Sequence, residues 1–360
     1  MCNVPFTYSA NLPKLLSPQC SLAIYGYSTR TGGVTITQHS NFPLRFYDFE
    51  PQQNTFLEEV LQGLQKPRKE LPNKYFYNER GSRLFEQICL LDEYYLTRTE
   101  LHIMQQRVQE MASLLGPNCL LIEYGSGNST KIRMLLGALE TPVGYVPIDI
   151  SKEHLIQAGA ALASAYPDLE VLPVCADYTS AFEIPMPTRT VGRRIVYYPG
   201  STIGNFKPEH TSNFLKQMAT VCQGGGLLIG ADLKKDPMLL HRAYNDRQGV
   251  TEQFNKNLLV RINQELGGNF QLDQFEHYAF FNPTEGWVEA HLISHKNQTV
   301  RIGEVEIFFA LGESIWTEIS CKYTLEGFAS LAATAGLQVE HVWTDPQQFY
   351  SVQYLTVKAE

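Results

Sequence analysis

The chain has 360 residues, of which 44% are hydrophobic, and a formal net charge of −8 at pH 7. Nucleic acid is excluded as the main partner, because an acidic chain without a run of five like charges lacks the clustered lysines and arginines that such binding needs. No apolar stretch approaches the roughly 20 residues of a membrane helix, and we see no secretory signal. We therefore expect a cytoplasmic protein, long enough for two domains with buried cores.

Cysteine and histidine spacing indicates neither a disulfide framework nor a metal site. The seven cysteines are scattered without a CxxC pair, and most lie in apolar segments. This favours buried, reduced thiols. None of the nine histidines forms an HxxxH pair, so we predict no metal.

The first part of the chain gives few structural indications. Residues 1–50 are rich in Ser, Thr, Pro, Asn and aromatic residues without a sustained period, and we treat them as an N-terminal extension of unknown role. A hairpin centred on residues 32–33 is one interpretation. Apolar periodicity predicts helices over 54–65, 82–91 and 97–111.

From residue 119 onwards, short apolar runs alternate with helical patterns. The runs are CLLIEY, GYVPIDI, LEVLPVCADY, RRIVYYPGSTIGNF and GGGLLIGADL, and helices are expected from about 130, over 151–164 and over 208–221. This alternation predicts a parallel sheet with crossover helices. The consecutive apolar positions suit strands that are covered on both faces.

After residue 236 the pattern becomes mixed. A helix is expected over 250–266, followed by the strand-like segments HYAFFN, WVEAHLISH, EVEIFFALG and WTEISCKYT. The final segment, AGLQVEHVWTDPQQFYSVQYLTVKA, resembles a closing pair of antiparallel strands.

A glycine turn joins the first apolar strand to its helix in EYGSGNSTK. Gly125 and Gly127 permit positive φ angles and a close approach of a ligand to the backbone. The helix N-terminus adds partial positive charge. The dinucleotide fingerprint would require a third glycine at position 130, which is Thr130, and the spacing does not fit a Walker motif. A GxG turn alone can equally be a tight corner.

The ends of the next two strands carry acidic residues. Asp149 could accept both hydroxyls of a ribose, or it could cap the following helix, where Ser151 is an equally good cap. Asp177 and Tyr178 suit the amino group and the face of an adenine, or a plain turn. Three such strand ends fit S-adenosylmethionine better than NAD. S-Adenosylmethionine has no pyrophosphate, so it does not need the third glycine of the dinucleotide fingerprint. Lys131 could meet its methionine carboxylate, although position alone favours a solvated lysine.

The fourth strand leads into YYPGSTIGNF. In sheets of this type, ligands bind beyond the carboxyl ends of the strands. The carbonyl of Gly200 and the amide of Asn205 could together hold an amine that faces a methyl group. The alternative is a turn before the helix that begins at Lys207–Pro208.

Six longer motifs make the pattern specific from about residue 54 to residue 360. They are KYFYNERGSRLFEQI, EYYLTRTE, EYGSGNSTKIRMLL, PGSTIGNF, AYNDRQGVTEQFNKN and TEISCKY. With these motifs the chain resembles the histidine-specific methyltransferases of ergothioneine biosynthesis. The resemblance implies a SAM-dependent enzyme that converts L-histidine to Nα,Nα,Nα-trimethyl-L-histidine (hercynine), the first step of that pathway.

The resemblance also assigns site residues. It implies that the cofactor is held by Tyr77, Gly125, Lys131, Asp149, Asp177 and Tyr178. It implies that the amine and carboxylate of the substrate are held by Tyr94, Gly200, Asn205 and Tyr244, of which Tyr94, Gly200 and Asn205 are our catalytic candidates. Glu318 and Ser320 are expected to bind the imidazole. Ala290 departs from the pattern, since family members can carry a larger apolar residue there.

Residue chemistry is compatible with an imidazole. In a strand, Glu318, Ser320 and Lys322 share one face. A neutral imidazole has one donor and one acceptor nitrogen, which a carboxylate and a hydroxyl can match. The indole of tryptophan would leave the hydroxyl unpaired, at a cost of about 1–3 kcal/mol if it is buried. Without the surrounding motif, an exposed polar strand face remains the alternative.

These observations predict an α/β fold with a Rossmann-like SAM-dependent methyltransferase sheet and a second, mixed α/β domain. We expect the SAM-binding domain at 99–235 plus 322–360, and the substrate-binding domain at 51–98 plus 236–321. We expect a monomer with a small amino-acid substrate. The alternatives are a methyltransferase for another aromatic amino acid, an NAD-dependent oxidoreductase, and a non-catalytic SAM-binding module.

Overall fold

The computed structural model describes residues 26–31, 34–39, 44–49, 54–127, 130–180 and 182–357. Within them the α-helices are α1 (Asn54–Leu64), α2 (Glu79–Leu90), α3 (Tyr95–Leu115), α4 (Thr130–Ala138), α5 (Lys152–Ala165), α6 (Pro208–Cys222), α7 (Pro237–Tyr244), α8 (Val250–Glu265) and α9 (Leu325–Thr334). Short 3-10 turns occur at Asn73–Phe76, Thr202–Asn205 and Leu272–Gln274. No helix in these described segments is long and apolar enough to cross a membrane.

The strands of the described residues belong to three sheets. They are β1 (Gly26–Thr31), β2 (Val34–His39), β3 (Arg45–Asp48), β4 (Cys119–Tyr124), β5 (Gly144–Asp149), β6 (Glu170–Val171), β7 (Val174–Cys175), β8 (Arg193–Tyr198), β9 (Gly226–Asp232), β10 (Phe275–Asn282), β11 (Trp287–Ser294), β12 (Gln298–Ile302), β13 (Val305–Phe309), β14 (Ser314–Cys321), β15 (Leu337–Thr344) and β16 (Tyr350–Val357).

The largest sheet has the order β1-β2-β3-β7-β5-β4-β8-β9-β16-β15, with β6 paired to β5. Its centre is parallel, since β4 runs parallel to β5 and β8, and β8 runs parallel to β9. The closing strands β15 and β16 are antiparallel. The predicted parallel sheet and the predicted closing pair are therefore confirmed.

One predicted strand is divided in two. The segment LEVLPVCADY forms β6 and β7, with Leu172 and Pro173 between them. Proline has no N–H to donate to a strand ladder, so continuous pairing stops there. β7 resumes pairing with β5, and Ala176 N donates to the carbonyl of Asp149 at 3.1 Å. Asp177 is thereby placed beside the end of β5.

The central strands alternate their side chains between two helical layers. On β4, Leu121 packs into the core formed with α3 and α4, whereas Ile122 packs into the core formed with α6 and α9. All six residues of β4 are buried. Burial of one Leu or Ile side chain contributes about 1.5–3 kcal/mol. A sheet buried in this way holds the carboxyl ends of β4, β5 and β7 along one edge.

The N-terminal strands extend this sheet, which the sequence did not indicate. β3 pairs in parallel with β7, and β2 pairs antiparallel with both β1 and β3. Phe46 packs against Leu155 and Cys175, and Lys152 Nζ lies 2.6 Å from Asp48 Oδ2. The strands of the predicted hairpin are confirmed, while its turn at residues 32–33 lies outside the described residues.

The remaining strands form a second region. β10, β11 and β14 make a three-stranded antiparallel sheet, and β12 and β13 make a separate ribbon. Helix α8 packs against α2 and the second sheet. The pattern did not predict α7, although Asp236 caps it and Pro237 opens it. The proposed domain boundaries stay a prediction.

Candidate active site

The glycine turn after β4 leaves open space beside the backbone. The N–H groups of Gly125 and Ser126 both donate to the carbonyl of Ile148, at 2.8 and 3.2 Å. Gly125 has a φ of 71°, and a Cβ built on it would meet no atom within 4 Å. Glycine is therefore needed here for its conformation and not for local packing. The turn offers the bare backbone that close contact with a cofactor requires.

Asp149, at the end of β5, is tied to this turn. Its Oδ2 accepts the N–H of Gly127 at 3.3 Å, and its Oδ1 accepts the N–H of Ser151 at 2.9 Å. Burial raises the pKa of Asp149 above its ordinary value, and these hydrogen bonds oppose that shift. Each carboxylate oxygen keeps a further lone pair, so Asp149 can still accept hydrogen bonds from a ribose.

Asp177 is held by donors from two parts of the chain. It accepts the N–H and the hydroxyl of Thr179, at 3.0 and 2.6 Å, and Lys74 Nζ lies 3.2 Å away. Burial favours a raised pKa, but these donors bring the pKa of Asp177 below its ordinary value. Lys74 also pairs with Glu59 at 2.9 Å. Sequence reasoning missed Lys74, because no local motif links it to a residue 103 positions later.

Tyr178 lies in an aromatic cluster behind the strand ends. Its ring centroid is 5.8 Å from those of Tyr124 and Phe214, and 6.2 Å from that of Tyr198. Burial raises the pKa of Tyr178 to about 12, so its hydroxyl is neutral at physiological pH. The cluster fixes one aromatic face beside Asp177, as an adenine site would require.

Lys131 is paired with a buried acid. Its Nζ lies 2.5 Å from Oε2 of Glu100, a helix α3 residue that is 1% exposed. The two carboxylate oxygens of Glu100 also accept the N–H of Gly200, at 3.0 and 3.1 Å. The alternative of a freely solvated Lys131 is therefore wrong. Sequence reasoning missed Glu100, although Glu100 is the last residue of the motif EYYLTRTE.

The loop after β8 adopts an unusual backbone conformation. Gly200 has a φ of 77°, and the next residue, Ser201, has a φ of 58°. A non-glycine residue in the left-handed region costs of order 1–3 kcal/mol and requires support from its surroundings. Ser201 is buried, and its Oγ accepts the N–H of Asp232 at 2.9 Å. This anchoring positions the 3-10 turn that carries Asn205.

One cavity, which we call the candidate pocket, brings the predicted substrate residues together. Its lining includes Tyr94, Gly200, Asn205, Tyr244, Glu318 and Ser320, together with Tyr77. Part of its wall is apolar, with Phe85, Ile88, Leu96 and Phe254. The other predicted cofactor residues are absent from the lining and lie at the ends of β4, β5 and β7 and at the start of α4.

Tyr77 connects the candidate pocket to the cofactor residues. Burial raises the pKa of Tyr77 well above its ordinary value, and the nearby Glu318, Tyr178 and Asp149 add to the shift. Burial likewise raises the pKa of Tyr94 well above its ordinary value. Both hydroxyls are thus neutral at physiological pH and can act as hydrogen-bond donors.

A buried polar cluster forms the floor of the candidate pocket. Tyr244 Oη lies 2.8 Å from Ser320 Oγ, and Lys322 Nζ donates to both oxygens, at 2.8 and 2.7 Å. Lys322 also pairs with Asp232 at 2.7 Å. Asp232 in turn is 2.6 Å from Lys235 Nζ. The predicted shared face of Ser320 and Lys322 is confirmed, whereas Asp232 and Lys235 were missed.

Glu318 lies on the same strand as this floor. Burial raises its pKa to about 7, and the charge of Lys322 opposes the shift. Glu318 pairs across the sheet with Ala290 on β11. Ala290 is buried but is not among the residues that line the candidate pocket. A larger side chain at position 290 would lie beside Glu318, because directly paired residues of antiparallel strands point to the same face of the sheet.

No metal-binding cluster accompanies these residues. Among the residues that the structure describes, no group of three or more His, Cys, Asp or Glu side chains could hold a metal ion. The polar side chains that line the candidate pocket carry carboxylate, hydroxyl and amide groups.

Comparisons with known proteins point to one family. Residues 56–357 match the family model described as "Histidine-specific methyltransferase, SAM-dependent". The chain is 43% identical over 295 residues to "Histidine N-alpha-methyltransferase" of Mycolicibacterium smegmatis, covering 80% of this chain and 90% of that protein. The protein of the same name from Mycobacterium tuberculosis is 42% identical over 294 residues, with the same coverage.

A fungal relative is more distant. "Ergothioneine biosynthesis protein 1" of Neurospora crassa is 32% identical over 295 residues, which is 77% of this chain but 32% of the fungal protein. The chain therefore matches one part of that longer protein.

Proposed function

Since the chain belongs to the family of SAM-dependent, histidine-specific methyltransferases, we propose that it methylates the α-nitrogen of L-histidine. The product of three transfers is Nα,Nα,Nα-trimethyl-L-histidine (hercynine), and we place the reaction at the first step of ergothioneine biosynthesis. The family match excludes the NAD-dependent alternative and the non-catalytic module. A small amino acid is accordingly the substrate class. The monomeric state and the cytoplasmic location stay predictions.

The observation that carries this proposal is the composition of the candidate pocket. Carboxylate, hydroxyl and amide groups from the N-cap of α3, the loop after β8, α7 and β14 line a single cavity. These elements are far apart in sequence, so their convergence is a property of the fold. An amino acid needs contacts for its amine, its carboxylate and its side chain, and the pocket has groups for all three.

We assign the ring of the substrate to β14. Glu318 accepts the N–H of a neutral imidazole, and Ser320 donates to its other nitrogen. Tyr94 is the donor for the carboxylate. Tyr244, whose oxygen is already bonded to Ser320 and Lys322, contributes mainly through that pair.

We assign the amine to the loop after β8. The carbonyl of Gly200 and the side-chain oxygen of Asn205 accept N–H groups from a neutral amine. The α-amino group of a peptide N-terminus has a pKa of about 8. The α-amino group of a free amino acid is more basic because it neighbours a carboxylate, so the pocket must favour the neutral amine. Fixing the nitrogen in line with the methyl group contributes several kcal/mol to catalysis, on the order of effects measured for well-oriented intramolecular reactions.

The cofactor residues fit S-adenosylmethionine on chemical grounds. Gly125 provides open backbone, Asp149 can accept ribose hydroxyls, and Tyr178 presents an aromatic face. Asp177 and Tyr77 complete this group, and Lys131 lies next to it through Glu100. When bound, this cofactor supplies a methyl group on a positively charged sulfur. The chain's own part is to exclude water and to hold the nitrogen opposite that methyl group.

A substrate panel tests the proposal. The purified protein is incubated with S-adenosylmethionine and each common amino acid, and products are weighed by mass spectrometry. We expect histidine to gain one, two and then three methyl groups, with no comparable gain on other amino acids. Methylation of another aromatic amino acid in preference to histidine would overturn the substrate assignment and leave the methyltransferase class intact.

A further inference from the structure

Lys322 lies directly beneath the candidate pocket without being part of its lining. Its side chain is fully buried. An ammonium group has three N–H donors, and Lys322 uses one each on Ser320 Oγ, Tyr244 Oη and Asp232 Oδ2. Burial alone would lower the pKa of Lys322, but Asp232 and Tyr244 raise it above its ordinary value. The group is therefore a fixed positive charge with every proton assigned.

The hydrogen bonds among Lys322, Tyr244 and Ser320 together give the direction of the hydroxyl protons. Ser320 Oγ and Tyr244 Oη each accept a hydrogen bond from Lys322, and they share one further hydrogen bond in which Tyr244 donates to Ser320. A hydroxyl oxygen has two lone pairs and one proton. Both lone pairs of Ser320 are then occupied, so its own proton is free to point towards the pocket.

We propose that Lys322 is a specificity-determining positioning residue, which makes Ser320 a hydrogen-bond donor and so selects a side-chain ring with an unprotonated nitrogen. This inference deepens the proposed function and rests on it. Glu318, on the same strand face, is the complementary acceptor. A neutral imidazole satisfies both groups, an indole satisfies Glu318 only, and a ring without nitrogen satisfies neither.

The structure offers a substitution that separates this role from simple support. In Lys322→Met, the buried Asp232 still has Lys235 at 2.6 Å and the hydroxyl of Tyr95 at 2.7 Å. The Asp232 carboxylate therefore keeps two partners. Loss of one member of a buried ion pair is most destabilising when the other member is left without a partner, and that does not happen here. Methionine also fills a similar elongated space without a donor.

Lys235→Met is the matched control. Lys235 pairs with the same Asp232, and its other bonds go to the hydroxyl of Tyr95 and the carbonyl of Leu233. The substitution Lys235→Met thus removes one lysine partner of Asp232 but leaves the hydrogen bonds from Lys322 to Ser320 and Tyr244 in place. A merely structural role of the lysine cluster predicts similar effects of both substitutions.

The test compares two ligands of similar size. L-Histidine is assayed as substrate, and L-3-(2-thienyl)alanine, which has a five-membered ring without nitrogen, is assayed as a competitor. For Lys322→Met we expect the histidine KM to rise about fivefold, because the neutral hydrogen bond from Ser320 to the ring is lost. The inhibition constant of thienylalanine and the Kd of S-adenosylmethionine should change by less than about twofold. In a Ser320→Ala background, Lys322→Met should add little.

The outcomes distinguish the two proposals. If the unmodified protein does not methylate histidine, the proposed function fails and this inference fails with it. If it does, but Lys322→Met weakens both ligands equally or matches Lys235→Met, only the inference is overturned. Should Lys322→Met not fold, Lys322→Leu, which likewise has no donor, is assayed in its place. A reduced histidine preference in that variant supports the inference, and an unchanged preference overturns it.

Discussion

Glu100 holds the backbone of Gly200 with both of its carboxylate oxygens, at 3.0 and 3.1 Å from the same N–H nitrogen. The same carboxylate pairs with Lys131, so one buried acid joins the helix after the glycine turn to the loop after β8. A Cβ on Gly230 would lie 2.4 Å from Glu100 Oε1, so the space around the acid is closely packed. The relative position of the cofactor residues and the amine site therefore depends on Glu100.

The substitution Glu100→Gln tests this dependence. The substitution keeps the shape of the side chain but removes the negative charge that pairs with Lys131. It also replaces one of the two oxygens that accept the N–H of Gly200 with an NH2 group, which is a donor. We expect kcat to fall by at least about tenfold and the free energy of unfolding to fall by about 1–3 kcal/mol. Steady-state kinetics and urea unfolding are the measurements.

Glu110→Gln is the control on the same helix. Glu110 is exposed and bonds to Arg107 and Trp343 away from the pocket. Its kinetics should match those of the unmodified protein. Equal losses of kcat in both variants would contradict a specific role for Glu100.

Glu318→Ala removes the acceptor that we assign to the imidazole N–H. Since Glu318 lines the candidate pocket and lies outside the glycine turn, histidine turnover should fall strongly while S-adenosylmethionine binding is retained. We expect kcat/KM for histidine to fall by at least about tenfold, which corresponds to a lost hydrogen bond to a charged group. Calorimetric titration with the cofactor provides the second measurement. Unchanged histidine turnover would refute the pocket assignment.

The sequence was informative where function depends on short local patterns. The alternation of apolar runs and helices gave the parallel sheet, and strand periodicity placed Ser320 and Lys322 on one face. Glu100 and Lys74 were missed because Lys131 and Asp177, their respective partners, lie 31 and 103 positions away. The pair between Asp232 and Lys322 was missed because Lys322 follows β14, far along the chain from β9. Such pairs exist only after the sheet has formed. The N-terminal strands were missed for the same reason, since β3 acquires its partner β7 across more than 100 residues.

The pH dependence of histidine binding follows from Glu318. Its pKa, raised to about 7 by burial, means that the carboxylate is present above that pH and is lost as pH falls through it. The charged acceptor for the imidazole N–H is thus lost on the acid side, and the weaker neutral acceptor that remains should raise the histidine KM between pH 8 and pH 6. The imidazole of the substrate titrates in the same range, at about 6.5.

Glu318→Gln separates these titrations. The variant shares the titration of the substrate with the unmodified protein but has no ionisable group at position 318. Its histidine KM should be higher at pH 8 and should depend less steeply on pH. Superimposable pH profiles for the two proteins would show that Glu318 does not control binding.

Gly125→Ala tests the glycine turn as the cofactor site. A residue with a side chain at a φ of 71° is strained, and we expect a loss of about 1–2 kcal/mol in the free energy of unfolding. The matched control is Gly336→Ala, because Gly336 has a φ of 75° and also has no atom within 4 Å of a Cβ, but lies in the turn between α9 and β15. Both variants should lose similar stability, whereas only Gly125→Ala should bind S-adenosylmethionine more weakly, because its methyl group fills the space beside the backbone. Calorimetric Kd values measured below the unfolding transition compare the two, and equal cofactor affinity in both variants would remove Gly125 from the binding site.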